Sequence, residues 1–330
     1  MMKLKRRSLL AASGLLAAPS IGQAQAAYPN RPVRFVVPFP PGNMSDLISR
    51  LMVDEMANRG GVQIVVDNRA GATGAIGIQA VSRSTPDGYT LLMSSNSPLV
   101  VNPAVTRNLP FDVTKDLVPI GLVGWTTFLI VVPPDFPANT LAEAIALFRA
   151  NPNRYIACNP GAGTFGNLVT EQIFRAVGIK MEQVPYRGSA QALLDMQQGR
   201  VHFMVDAMTS ALPQVQGKAV KALAVLANRR SPLAPEIPTL AESGMPELAP
   251  LESMAWSGLL GPVGTPPEVI TFWNRAITAM QNDAALVRRF ASINVEMAPP
   301  SPPEKLGEMV RTELARWTRV AQEANITVGG

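Results

Sequence analysis

Tyr155-Ile156-Ala157-Cys158-Asn159-Pro160-Gly161-Ala162-Gly163-Thr164-Phe165-Gly166 is a short apolar run that empties into a turn of small residues, and a helix ending at Gly178 follows it. Strand, glycine-rich turn, helix: the same unit recurs along the chain. Residues 34–37 read as a strand and 45–58 as a helix with Leu47, Ile48, Leu51, Met52 and Met56 on one face, stopped by Gly60-Gly61. A strand over 62–66 leads through Gly71-Ala72-Thr73-Gly74 into a helix to Ser82, and 89–93 is a third strand. Thr140-x-x-Glu143 is a capping box that opens another helix. Strands over 182–185, 201–205 and 221–226, with a helix over 189–198, complete the middle of the chain. Thr265-Pro266-Pro267-Glu268 and Ser301-Pro302-Pro303-Glu304 read as twin helix starts, each with a hydroxyl N-cap and proline at the first helical position. Alternating strands and helices predict an α/β fold with mostly parallel sheets covered on both faces. A chain of 330 residues exceeds the size of one core, so two such lobes with a cleft between them are expected.

The first 26 residues carry a different message. Lys3, Lys5, Arg6 and Arg7 precede an apolar stretch over 9–18, and Ala24-Gln25-Ala26 is a small-x-small cleavage site. That layout is an export signal, too short for a membrane span, with cleavage expected after Ala26. Arg6-Arg7 also fits a twin-arginine signal, although Lys5 stands where Ser or Thr is usual, so the route stays open. The chain has 29 basic and 24 acidic residues, and four of the basic ones lie in the signal, leaving 25 against 24. No basic stripe remains to bind nucleic acid and no polybasic helix to bind lipid. Cys158 is alone, which forbids an intrachain disulfide, and its apolar neighbours make it a small buried hydrophobe. His202 is the only histidine, so zinc sites of the usual kind and any histidine-based triad would have to run through it. Its alternating strand context favours a structural or polar-lining role.

In open α/β sheets, ligands sit beyond the carboxyl ends of the strands. Those positions hold Pro38-Phe39-Pro40-Pro41-Gly42-Asn43, then Ser94-Ser95-Asn96, then the turn from Asn159 to Gly166, then Asp206, Met208 and Thr209. The sets are small, polar and placed at helix starts, which bind anions through free N–H groups and the helix dipole. They contain neither paired carboxylates nor a metal-type ligand cluster, so the chemistry on offer is recognition of a small acid, without catalysis and without a cofactor.

These stretches resemble a known family. Pro38-Phe39-Pro40-Pro41-Gly42-(x3)-Asp46-(x3)-Arg50 is similar to the first signature of the Bug solute receptors of tripartite tricarboxylate transporters. Asn68-Arg69-Ala70-Gly71-Ala72-x-Gly74 with Pro86-Asp87-Gly88-Tyr89-Thr90-Leu91 resembles their second. Val184-Pro185-Tyr186-Arg187-Gly188, Ile237-Pro238-Thr239-Leu240-Ala241-Glu242-Ser243-Gly244, Trp256-x-Gly258-Leu259 and Pro262-x-Gly264-Thr265-Pro266 continue the likeness in order. The resemblance implies a two-lobed periplasmic binding protein of the Venus flytrap kind, type II-like. Its lobes would be 27–126 with 249–330, and 127–248, with crossings near 125–128 and 248–256. It implies a monomer that binds a small carboxylate (a di- or tricarboxylate, an acidic amino acid or an aromatic acid) and meets membrane permease subunits. The loops carried here by Phe39, Pro40, Pro41, Gly42 and Asn43, and by Gly161, Gly163, Thr164 and Phe165, would clamp a ligand carboxylate largely through backbone amides. Ser95, Asn96, Asp206 and Thr209 would line the rest. Asn43 stands where a second glycine is usual, a change that narrows the loop or adds a side-chain donor, and Asn167 stands where His is frequent.

Two other functions compete. Gly161-x-Gly163-x-x-Gly166 matches a dinucleotide fingerprint, which would make the protein an exported oxidoreductase. The acid that fingerprint needs, about 20 residues on at a strand end, is absent; Glu182 starts a strand instead. A liganded receptor could also dock on a membrane sensor in place of a permease. For Asp46 and Arg50 an i,i+4 ion pair is expected over ligand contact, and Arg187 either meets an anionic ligand or braces its turn. Asp206 is unusual for an acid receptor; it favours a ligand that carries an amino or hydroxyl donor.

Overall fold

The computed structural model describes residues 28–324 apart from 228, 252 and 253; the export signal expected over 1–26 lies outside the described residues. β1 (Val33–Val37), β2 (Ile64–Asn68) and β3 (Thr90–Ser95) form a parallel set in the order β2-β1-β3, with α1 (Met44–Gly60) and α2 (Ala75–Ser82) as crossovers. Asn43 caps α1 through its side chain, and Gly61 ends it in the left-handed conformation. Met44, Ile48, Met52 and Met56, one turn apart, put the apolar face of α1 in the core. After β3 a π turn over Ser97–Val101 runs into the short helix α3 (Asn102–Val105).

β4 (Leu117–Val132) spans 16 residues and joins the two lobes. Its first part pairs antiparallel with β9 (Met254–Pro262), with Trp125 opposite Trp256. Its last part pairs with β7 (Phe203–Ala207) and β8 (Lys221–Val225) in the second lobe. Leu129 and Val131 face one apolar cluster while Ile130 and Val132 face the other, so the two-residue period of one strand serves both faces of the sheet. The second lobe has the order β4-β7-β5-β6, with β5 (Ile156–Asn159) parallel to both β6 (Glu182–Pro185) and β7. Its helices are α4 (Leu141–Ala150), α5 (Phe165–Ala176), α6 (Ser189–Gln197) and α7 (Met208–Gln216). The capping box of α4 forms as expected, with Glu143 N donating to Thr140 Oγ1.

The chain returns through β9, next to β3 and antiparallel to it, and closes with α8 (Pro267–Gln281), α9 (Ala284–Ser292), β10 (Glu296–Met297) and α10 (Pro303–Ala324). Leu306, Val310, Trp317 and Ala321 bury one stripe of α10. The twin helix starts need a correction. α8 begins at Pro267, not Pro266, and Thr265 donates its hydroxyl to the Pro262 carbonyl instead of capping. A residue that precedes proline is pushed out of the α region, so Pro266 stays extended (φ −59°, ψ 143°) and the helix starts one residue later. α10 likewise begins at the second proline of its pair, Pro303. The long crossing strands run antiparallel to their neighbours, and the alternation of short strands with helices gave no sign of them.

Candidate functional site

The first-lobe wall is the loop between β1 and α1. Pro40 and Pro41 contribute no N–H, so its donors are few. Gly42 sits at φ +87°, which glycine takes without strain, and donates its N–H to Asp46 Oδ2 at 2.8 Å. Asn43 accepts from Ser45 N through Oδ1 at 2.8 Å, so its side-chain oxygen caps α1. The Phe39 carbonyl accepts from Asn68 Nδ2 at 3.1 Å. Arg50 meets Asp46 through two hydrogen bonds of 3.0 Å, the expected i,i+4 pair. Burial pushes the Asp46 carboxyl up, but the hydrogen bonds from Arg50, Gly42 and Asn68 outweigh it and hold the group below the usual range.

Ser95 and Asn96 close the end of β3 and are both buried. Asn96 Nδ2 donates to the Met254 carbonyl at 3.0 Å, tying this strand end to the return crossing, while its Oδ1 has no hydrogen-bond partner among the described residues. Behind it lies Glu313, which accepts from the Trp256 indole N–H at 2.7 Å. Burial raises the Glu313 carboxyl against the pull of Trp256, Arg316 and Asn96.

The second-lobe wall is the turn between β5 and α5. Gly161 N donates to Asn159 Oδ1 (3.1 Å) and Gly163 N to Asn167 Oδ1 (2.9 Å). Thr164 caps α5 by accepting from Asn167 N (3.4 Å), and its hydroxyl donates back to the Gly161 carbonyl (2.7 Å). Phe165 stacks on Phe128 (4.5 Å, 12°) and meets Trp317 edge-on (5.1 Å), so the first residue of α5 is wedged beside the crossing strand. Gly166 lies so close to β7 that an added Cβ would stand 2.5 Å from the Val205 carbonyl oxygen.

Asp206 is 2 % exposed, and its two oxygens accept from Ser189 Oγ (2.7 Å) and Ser210 Oγ (2.6 Å). Its side chain therefore braces the starts of α6 and α7. Thr209, also buried, follows in the first turn of α7. Burial drives the Asp206 carboxyl above its usual range, against the serine hydrogen bonds and the Ala207 amide. A carboxyl raised in the folded state holds a proton that the unfolded chain has shed, so this residue costs stability as pH climbs from the unfolded value through the folded one. Relative to Asp206→Asn, the wild type should therefore be better placed at about pH 4 than at about pH 7. Urea unfolding of both at the two pH values checks this; a constant difference would contradict it.

Two hydrogen bonds cross between the lobes at these walls. Thr73 Oγ1 donates to the Ala162 carbonyl at 2.8 Å, and Phe165 N donates to Ser97 Oγ at 3.2 Å. A Cβ on Gly188 would come within 3.6 Å of Pro40 Cγ, so the turn after β6 also reaches the first loop. The structure thus brings Pro40 near the turn after β6, joins the Gly161–Phe165 turn to Thr73 and Ser97, and buries Asn96 and Asp206. Thr73 and Ser97 escaped the sequence reading. Thr73 adopts φ +52°, rare for a β-branched residue, and no local pattern announces it. Cys158 is buried, and burial pushes its thiol up. His202 accepts from Ile156 N through Nδ1 (3.2 Å) and packs on Tyr155, while burial lowers its pKa. Among the described residues no group of three or more His, Cys, Asp or Glu could hold a metal ion, and no helix is long and apolar enough to cross a membrane. Glu182 pairs with Ile156, at the end of β6 away from the glycine turn, so it cannot serve a dinucleotide there.

The model of the tripartite tricarboxylate transporter family receptor matches residues 48–326. Protein BugT of Bordetella pertussis is 34% identical over 297 residues, which cover 90% of each chain. Among solved structures, R. palustris Rpa4515 with adipate is 30% identical with a TM-score of 0.87, covering 91% of this chain and 99% of that one. MatC (Rpa3494) from Rhodopseudomonas palustris with bound malate is 28% identical with a TM-score of 0.81, covering 89% and 99%. With two α/β lobes and these relatives along nearly its whole length, this chain belongs to the tripartite tricarboxylate transporter receptor family, as a Bug-type periplasmic solute-binding receptor.

Proposed function

We propose that the protein captures a small carboxylate between its lobes and delivers it to the permease subunits of a tripartite transporter, without itself being an enzyme. The observation that carries this reading is the pair of interlobe hydrogen bonds, Thr73 to Ala162 and Phe165 to Ser97, which join the turn at the start of α5 to the segments before α2 and after β3. Two helix starts aimed at one cleft favour an anion through their N–H groups and dipoles, and two relatives are solved with adipate and malate.

In this reading the ligand contacts are Phe39 to Asn43 from one wall and Gly161, Gly163, Thr164 and Phe165 from the other, with Ser95, Asn96, Asp206 and Thr209 completing the surroundings. The amides of Gly161, Gly163 and Phe165 already rest on Asn159, Asn167 and Ser97. Those bonds fix the shape of the turn, and a ligand carboxylate would meet the preset turn from the cleft, where charge-assisted hydrogen bonds are about twice as strong as neutral ones. Asp206, whose charged form burial disfavours and which two serines cover, repels an anion less than an open carboxylate would. The lobes correspond to 27–126 with 249–330, and to 127–248; the working form is a monomer exported with its signal removed after Ala26. Because a ligand that binds the closed form better shifts the equilibrium toward it, capture and hand-over follow from one hinge. Thermal unfolding of the chain from Ala27 against adipate, malate and other carboxylates, with NAD as control, tests the reading: a carboxylate raises the midpoint and NAD does not.

A further inference from the structure

We infer that Gln183, on β6 and outside the cleft, is the residue that fixes the geometry of the second-lobe loop, and so acts as a positioning residue for the ligand; the ligand part of this inference rests on the carboxylate reading above. Gln183 Oε1 accepts from Asn167 Nδ2 at 3.1 Å and from Asn159 Nδ2 at 3.3 Å. Those two asparagines then point their own Oδ1 atoms at Gly163 N and Gly161 N. One side-chain oxygen therefore orients two amides, and the two amides hold two alternate peptide groups of the turn. Gln183 is itself oriented, because its Nε2 donates to Glu171 Oε1 one turn further along α5.

The arrangement follows from register. Asn159 and Gln183 lie on neighbouring parallel strands, with Ala157 opposite Gln183 and Asn159 opposite Pro185, so both side chains fall on the face that α5 covers. Asn167 and Glu171 are four apart on α5 and share the helix face above them. An asparagine amide has no preferred direction of its own; an acceptor on its nitrogen side decides which way its oxygen points. Without Gln183, both asparagines could rotate, and Gly161 and Gly163 would lose their acceptors together. The Asn167 departure from the family's more usual His thus belongs to a lock on the loop, and Asn159 is its second arm.

Amide hydrogen exchange of the unliganded protein by NMR reads the lock without any ligand. In Gln183→Met, exchange at Gly161 and Gly163 should quicken about tenfold, the equivalent of one ordinary hydrogen bond, while amides within α6 keep their protection. The double variant Gln183→Glu with Glu171→Gln restores an oxygen facing both asparagines and a donor facing it, and should keep wild-type exchange. Asn167→Ala should free Gly163 and leave Gly161 protected, and it carries the test if Gln183→Met does not fold. Titrated with adipate and with malate, Gln183→Met should bind about tenfold more weakly than the double variant. Unchanged exchange at both glycines in Gln183→Met, or at Gly163 in Asn167→Ala, overturns the inference. If the two glycines loosen as expected but the wild type takes up no carboxylate, the lock stands and the carboxylate reading falls.

Discussion

Gly166→Ala should cost about 3 kcal/mol of stability and weaken carboxylate binding more than about tenfold, the upper range for overpacking a site that cannot relax. A methyl at this position would meet the Val205 carbonyl oxygen at 2.5 Å and Pro160 Cδ at 3.4 Å. The nearer obstacle is backbone in the middle of β7, which pairs with β4 on one side and β5 on the other, so α5 must move instead. Its buried face (Leu168, Val169, Ile173 and Phe174) is fitted to the core, so every fraction of an ångström is felt there. The same displacement pulls Phe165 away from Phe128 and its amide away from Ser97, which undoes one of the two interlobe hydrogen bonds. Urea unfolding gives the stability and titration with adipate the affinity. A variant within about 0.5 kcal/mol of wild type, the range of an unremarkable surface change, would contradict the account.

Asp46→Ala should cost a similar amount, about 3 kcal/mol, because one buried carboxylate satisfies three groups. Oδ2 accepts from Gly42 N and Arg50 Nε, and Oδ1 from Arg50 Nη2 and Asn68 Nδ2. Asn68 also holds the Phe39 carbonyl, so the acid ties the loop between β1 and α1 to the end of β2. Removing it leaves the Gly42 amide and the Asn68 amide short of an acceptor, while Arg50, more than half exposed, turns to water. The sign of the pH effect is fixed by the lowered carboxyl: its stabilisation is present above the unfolded value and disappears as pH falls through the folded one. Wild type and Asp46→Ala should therefore differ fully at about pH 7 and draw together in acid, as pH falls through the lowered folded value. A difference that persists unchanged into acid would show that the contribution is packing and not charge.

Most of the parallel framework was legible because it rests on local patterns. The strand at Val33–Val37, the helix over Ser189–Gln197 and the capping box at Thr140 follow from periodicity and caps. The crossings expected near 125–128 and 248–256 fall on β4 and run into β9, but the length and antiparallel pairing of these strands were not read, since a strand that leaves one sheet and enters another is set by partners more than a hundred residues away. The twin proline starts misled by one residue because the second proline outranks a hydroxyl cap in deciding where a helix can begin. At the cleft, the strand-end rule found the loops but not how their polar groups are spent. Asn43 caps a helix, Asp206 faces two serines, and Ser97, Thr73 and Gln183 enter only when distant segments meet. Composition can place small polar residues at a site; which of them face a ligand depends on partners that no single stretch contains.

Ligand-dependent thermal unfolding of the chain from Ala27 onward decides whether a carboxylate is captured between the two lobes. A carboxylate present at about a thousandfold over its dissociation constant adds roughly 4 kcal/mol, which raises the midpoint by about 10 °C in a protein of this size. Such a shift is expected with a dicarboxylate of the adipate or malate class, a shift smaller by about a third or more in Gly166→Ala, whose tenfold weaker binding leaves about 2.7 kcal/mol, and none with NAD in either protein. A shift with NAD, or a carboxylate shift that Gly166→Ala leaves intact, would contradict capture between the two lobes.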